Sequence, residues 1–123
     1  MNIIILVSQL VIALGIYNVW LIRTNQATAW RGGDAKTMEE EFRAYGLSRQ
    51  CMRIVGVVKV LMATLLIVGI WYPPFTTIGA TIMAALMLAA VLMHIKVKDP
   101  LIKSLPAASL LLLSLIVACT PQG

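Results

Sequence analysis

Charge is scarce in this chain of 123 residues: Asp, Glu, Lys and Arg together make up 12%, against 60% hydrophobic residues. A water-soluble domain with a charged shell cannot be built from that ratio, so the composition points to a membrane protein. Histidine occurs once, which excludes a metal cluster or a paired haem ligation within one chain. Cysteine occurs twice, at Cys51 and Cys119, with no C-x-x-C; a self-contained thiol–disulfide oxidoreductase is excluded. No phosphate-binding glycine loop is present, and the Gly32-Gly33 pair reads as a turn. No Asp or Glu falls inside an apolar run. Four short helices would suit a small drug exporter, but such a protein needs an intramembrane carboxylate, and Lys59 would repel cationic cargo.

What the chain does have is long apolar runs. Four of them approach the roughly 20 residues that a helix needs to cross a bilayer, where only helices or closed barrels satisfy their own backbone. They are residues 3–22, 54–72, 75–95 and 105–120, the last extended only if Lys103 snorkels toward the headgroups. The predicted fold is all-α: a four-transmembrane-helix bundle in one domain covering residues 1–123. MNIII carries no basic n-region and no A-x-A site follows it, so the first helix is expected to be retained.

The connections differ in character. WYPP between the second and third runs is a tight, uncharged turn, with Trp71 and Tyr72 suited to an interface. KVKDPLIKS between the third and fourth is basic, and Ser104 is expected to cap the helix that Pro106 begins. In the long connection 23–53, TMEEEFRAYG predicts a short helix: Thr37 and Glu40 form a capping-box signature, and Gly46 ends it. Met38, Phe42 and Tyr45 share one face of that helix. The stripe predicts contact with the membrane surface, with the bundle mouth, or with another membrane protein.

The net charge of +5 comes from two inter-helix segments and forms no stripe with stacking aromatics, so nucleic acid is not an expected partner. Arg23, Arg31, Lys36, Arg43, Arg49 and Arg53 mark the long connection, Lys96, Lys98 and Lys103 the third, and the opposite side has no Lys or Arg. Both basic loops are therefore expected in the cytoplasm and both termini outside, in a bacterial inner membrane.

Within VGVVKVLMATL, Lys59 is the one charge inside a span. On a helical projection it shares an arc with Met52, Gly56, Ala63 and Ile70, and small residues mark the side where membrane helices approach each other. Lys59 is thus expected to face the bundle interior. Similar arcs are expected to pack on the first helix (Ser8, Val11, Gly15, Asn18, Ile22) and on the third (Thr77, Thr81, Ala85, Ala89); such faces also permit a homodimer. At about 1.5 Å per residue, Lys59 lies about 9 Å inside Arg53. Asn18 and His94 fall at comparable shallow depth. A polar pocket open to the cytoplasmic side is expected, lined by Lys59, Asn18 and His94, with Glu40, Glu41 or Asp99 neutralising Lys59. A pairing that only locks the fold is the alternative role of that cation.

Three stretches, AWRGGDAKTMEEEFRAYGL, VGVVKVLMATLLIVGIWYPP and VLMHIKVKDPLIKSLPA, together resemble the DoxX-like membrane proteins over nearly the whole chain. YGL before the second span, G-x-x-K within it and the His near the end of the third occur in the expected order. The resemblance implies a four-helix membrane bundle and singles out Tyr45, Gly56, Lys59 and His94. The wider superfamily includes the DoxD subunit of thiosulfate:quinone oxidoreductase, MauE-type maturation proteins and vertebrate membrane chaperones, which implies a redox association. Since a shared fold hosts unrelated activities, the residues themselves carry the expectation. That expectation is an accessory protein without autonomous catalysis, binding a quinone or a lipid headgroup for a redox partner. The competing expectation is an assembly factor that binds another membrane protein, and a minimal transporter ranks last.

Overall fold

The computed structural model describes residues 2–23 and 31–121. Five α-helices follow in order: α1 (Ile3–Tyr17), α2 (Met38–Ala44), α3 (Arg49–Val68), α4 (Pro73–Lys96) and α5 (Leu105–Cys119). A π-helical turn, Asn18–Ile22, prolongs α1, and a 3₁₀ turn, Leu101–Ser104, leads into α5. With these turns included, four helices are long and apolar enough to cross a membrane. The short α2 stands between the first two of them.

Local chemistry explains the boundaries. Thr37 caps α2 by accepting the Glu40 amide at 3.2 Å, and Gly46, at φ +81°, supplies the left-handed residue that ends it. Ser48 caps α3 by accepting the Cys51 amide at 3.0 Å, so this helix begins at Arg49, five residues before the apolar run itself starts. Pro73 opens α4, where a missing N–H costs nothing. The expected side-chain cap from Ser104 does not form; the 3₁₀ turn already has helical backbone at Ser104 and runs straight into α5.

The spans form a ring in the order α1, α3, α4, α5, each touching the next, with α2 set against α3 at the end that carries the basic loops. The rest of this account calls that the basic end, and the end around Trp71 and Tyr72 the turn end. Gly56, Lys59, Ala63 and Leu66 form the buried face of α3, as its small-residue arc predicts, while Met52 and Ile70 are only half-buried.

The other two arcs are corrected. α1 buries Ile5, Ser8, Gln9, Ile12, Ala13 and Ile16, so Ser8 alone belongs to both the expected and the observed face. Gln9 decides this: its amide donates to the Leu66 carbonyl at 3.2 Å and to Thr76 Oγ1 at 3.0 Å, bonds it can find only inside the bundle. On α4, Thr77, Thr81 and Ala85 are exposed, Ala89 lines the open basic end, and Thr76, Gly79, Ala80, Met83, Ala84 and Met87 pack inward. Gly79 is the reason: a Cβ there would stand 3.2 Å from the Met62 carbonyl oxygen and Leu65 Cβ, so α3 and α4 approach closely here. The outward surfaces of the spans, at Leu14, Val57, Leu61, Leu88 and Leu112, are apolar and suited to lipid. Cys51 and Cys119 lie at opposite ends of the bundle as free thiols.

Candidate functional site

At the basic end the four spans separate around a chamber of about 340 Å³. Its walls are apolar residues of α1, α4 and α5, such as Ile16, Met87 and Leu110, and its roof is α2. Met38, Phe42 and Tyr45 are 4%, 7% and 5% exposed. The stripe packs into the bundle mouth, its three side chains enclosed by this chain.

Aromatic rings link the roof to two walls. Trp20, from the π-helical turn, meets Phe42 edge to face at 5.9 Å; Phe42 lies 6.1 Å from Tyr45, and Tyr45 5.8 Å from the His94 ring on α4. Lys59 enters from α3, 9% exposed, with its ammonium 5.4 Å from the centroid of the Trp20 ring. Such a contact stabilises a cation through the negative face of the ring. The ring also needs Gly56, one turn before Lys59, because a Cβ there would come within 2.6 Å of it.

The carboxylates are engaged elsewhere. Glu41 accepts from Arg31 at 3.0 Å and from the Tyr45 hydroxyl at 2.7 Å. Asp99 accepts from the Gly33 amide at 2.9 Å and lies 2.8 Å from His94 Nδ1, with Lys103 at 4.0 Å. Glu40 is exposed on the capping turn and does not line the chamber. Among the described residues no carboxylate lies within 4.0 Å of Lys59. Lys59 thus makes no contact ion pair with Glu40, Glu41 or Asp99, and its ammonium packs on Trp20. The physical reason is competition: Arg31 Nη1 and the Tyr45 hydroxyl each take one oxygen of Glu41, and the imidazole and an amide engage Asp99.

Asn18 lines the chamber from its rim, exposed, with its side-chain oxygen accepting from Arg23 Nε at 3.2 Å. His94 is buried. With Nδ1 directed at Asp99, its Nε2 faces the Tyr45 hydroxyl at 3.5 Å and the chamber. Burial, reinforced by the adjacent Glu41 charge, pushes the Tyr45 phenol well above its ordinary pKa, which keeps it a proton donor. For Asp99 burial acts upward, but the hydrogen bonds from His94 and from the Gly33 amide win and hold the carboxyl below its usual range.

Arg31, Trp20 and the Gly32-Gly33 pair are neighbours of these residues that the residue patterns do not single out. Arg31 is 4% exposed and also donates to the Arg23 carbonyl. Gly32 leaves room for the Tyr45 ring, whose hydroxyl would stand 2.5 Å from a Cβ at that position. Gly33, at φ +58°, turns its amide to Asp99, while its carbonyl accepts from Lys103. The signal available in the sequence is the unbroken RGGD, in which an arginine adjoins two glycines that read only as a turn.

A cation, aromatic planes and one imidazole nitrogen thus converge in a largely apolar cavity, an arrangement suited to holding a polar head by hydrogen bonds while excluding water. Among the described residues no group of three or more His, Cys, Asp and Glu is placed to hold a metal. No curated protein and no solved structure is a match for the chain. The DoxX-like family matches residues 24–118, a stretch that holds Arg31, Glu41, Tyr45, Lys59, His94 and Asp99. With most of its length and, but for Cys119, the last three of its spans inside that match, the chain belongs to the DoxX-like family of integral membrane proteins.

Proposed function

We propose that the chamber holds the oxygen-bearing head of a membrane-borne amphiphile for a partner redox system, and that the protein is an accessory without catalysis of its own. A quinone ring and an anionic lipid headgroup offer the same chemistry here, acceptor oxygens on a head attached to an apolar chain. The observation that carries the reading is the placement of Lys59, a buried ammonium aimed into an apolar cavity with no carboxylate within 4.0 Å among the described residues. In such surroundings a hydrogen bond from the ammonium to an acceptor oxygen is strengthened. His94 Nε2 and the rim Asn18 complete the polar contacts. Glu41 and Asp99 act through Tyr45 and His94, which they orient.

The excess of Lys and Arg on the two loops at this end supports a cytoplasmic mouth, with both termini outside, in a bacterial inner membrane. An assembly role through Met38, Phe42 and Tyr45 would require α2 to leave the mouth, which the burial of all three side chains opposes.

Native mass spectrometry of the full chain from a mild detergent tests the proposal. The wild-type protein should retain a quinone or an anionic lipid, and Lys59→Met should lose it. A charge-assisted hydrogen bond contributes about 1.5–3 kcal/mol, so binding of a benzoquinone should weaken roughly tenfold or more. Unchanged retention and affinity in a folded Lys59→Met protein would falsify the assignment.

A further inference from the structure

Two carboxylates fix the hydrogens where α2 meets α4. Against the upward push of burial, the hydrogen bonds from His94 and the Gly33 amide hold Asp99 below its usual carboxyl range, so it is an acceptor. The imidazole must therefore turn an Nδ1–H toward it, at 2.8 Å. In a neutral imidazole only one nitrogen carries hydrogen, which leaves Nε2 with a bare lone pair. The Tyr45 hydroxyl has a single proton, and it goes to Glu41 at 2.7 Å, while Arg31 takes the other oxygen of that carboxylate. His94 Nε2 and Tyr45 Oη thus face each other as two acceptors. Their separation of 3.5 Å, longer than an ordinary hydrogen bond, fits that reading. Among the described residues Nε2 meets no other polar group. An unpaired acceptor on a side chain only 5% exposed is costly, and both residues line the chamber. Lys59, which enters the same chamber from α3, has hydrogens to donate and nothing to accept with.

We infer that the chamber selects a head bearing an aromatic hydroxyl, a quinol rather than a quinone, with the hydroxyl hydrogen on His94 Nε2 and a second oxygen accepting from Lys59. The inference rests on the proposed function above and narrows its ligand class to the reduced form. His94 is then the specificity-determining residue, and Asp99 a positioning residue that sets which ring nitrogen carries hydrogen. A quinone offers acceptors alone: one carbonyl suits Lys59, and the other would set lone pair against lone pair at Nε2. An anionic phosphate oxygen meets the same obstacle with a charge added. The hydroxyl of a quinol supplies the missing hydrogen, and Trp20, Phe42 and Met87 give its flat ring an apolar setting. Gly33 makes the tautomer testable. Its amide donates to one oxygen of Asp99, and His94 takes the other. In Asp99→Asn the side-chain oxygen must stay with the Gly33 amide, so the NH2 group faces Nδ1 and donates to it. The imidazole hydrogen then moves to Nε2, which turns from acceptor to donor.

Calorimetric binding to the full chain in a mild detergent, without oxygen, tests this with four probes: tetramethylhydroquinone, its monomethyl ether, its dimethyl ether and tetramethylbenzoquinone. The monomethyl ether keeps one hydroxyl and the dimethyl ether none. At about pH 8, where free imidazole is neutral, the two hydroxyl-bearing probes should bind roughly tenfold more tightly than the other two. Lys59→Met should weaken all four. Asp99→Asn should erase or reverse the preference for hydroquinone over quinone, whereas a purely structural role for Asp99 would weaken all probes alike. If the quinone binds the wild-type protein as tightly as the hydroquinone does, the inference is overturned, and this arm needs no variant to fold. It is overturned equally if a folded Asp99→Asn protein keeps the preference. It also fails if glycerol phosphate displaces tetramethylhydroquinone as effectively as the monomethyl ether does, which would make the occupant a lipid head. In each of these cases the chamber reading stands as long as binding still depends on Lys59. If neither the probes nor glycerol phosphate bind saturably, the chamber reading falls and the inference with it.

Discussion

At the turn end Gln9, Leu66 and Thr76 tie three spans together through hydrogen bonds of 3.0–3.2 Å, and Gly79 brings α3 and α4 nearly backbone to backbone. At the basic end the same helices stand apart, and large side chains on α2 and the π-helical turn fill only the rim of the gap. Small residues and one buried amide whose nitrogen donates twice give a close-packed junction. Arg31, Lys59, Trp20, Tyr45 and His94 are too bulky and too polar to permit that, and each needs a partner that occupies space. The contrast shows how one bundle can hold a close-packed half and an open half: side-chain size at the interface sets how far apart the helices stand.

Three experiments would break or sharpen this contrast. The largest effect is expected at the basic end. Glu41→Ala leaves Arg31 buried without its carboxylate and Tyr45 without its acceptor, a loss of about 3–5 kcal/mol. Reversible unfolding in mixed micelles measures it. A loss below about 1 kcal/mol would mean that the Arg31–Glu41 pair does not hold α2 in place.

At the turn end Leu66, fully buried, provides the next test. Leu66→Ala should destabilise by about 2–5 kcal/mol through the cavity it opens, yet leave benzoquinone binding at the far end unaltered. If binding changes in step with stability, the two halves are not independent and the contrast fails.

The smallest effect is acid titration of Asp99. Because its folded pKa lies below the ordinary value of about 4, its contribution is fully present above that value. It fades as pH falls through the lower folded value. Hydrogen exchange at the Gly33 amide, which donates to this carboxylate, should therefore stay protected down to ordinary carboxylate pH after correction for intrinsic rates. Protection should be lost only on further acidification, and Asp99→Asn should remove the transition. Loss of protection already near pH 6 would contradict the assignment.

Much of this was legible in the residues. Thr37, Gly46 and Pro73 mark helix ends because capping and proline chemistry act over a few residues and need no tertiary partner. Lys59 was readable as inward-facing because a lone charge in an apolar run leaves a helix little rotational choice. The inward faces of α1 and α4 were not legible. Both helices are apolar almost all round, so no polar side exists to say which way they turn. Gln9 and Gly79 made that choice, each through a neighbour 40 or more residues distant along the chain or across a helix pair. The partners of the carboxylates were hidden for a related reason. Glu41 could have met Lys59 or Arg31, and only the docking of α2 brought it to the arginine.

Composition and hydropathy by themselves determined a bundle of four membrane-crossing helices with its positive charge at one end and one lysine turned inward, because lipid forces each span to satisfy its own backbone and makes an outward charge costly. Only the tertiary structure decided that this lysine packs on Trp20 in a chamber roofed by α2. That outcome depends on competition among Arg31, Lys59, Tyr45 and His94 for two carboxylates, Glu41 and Asp99, and proximity in space settles it.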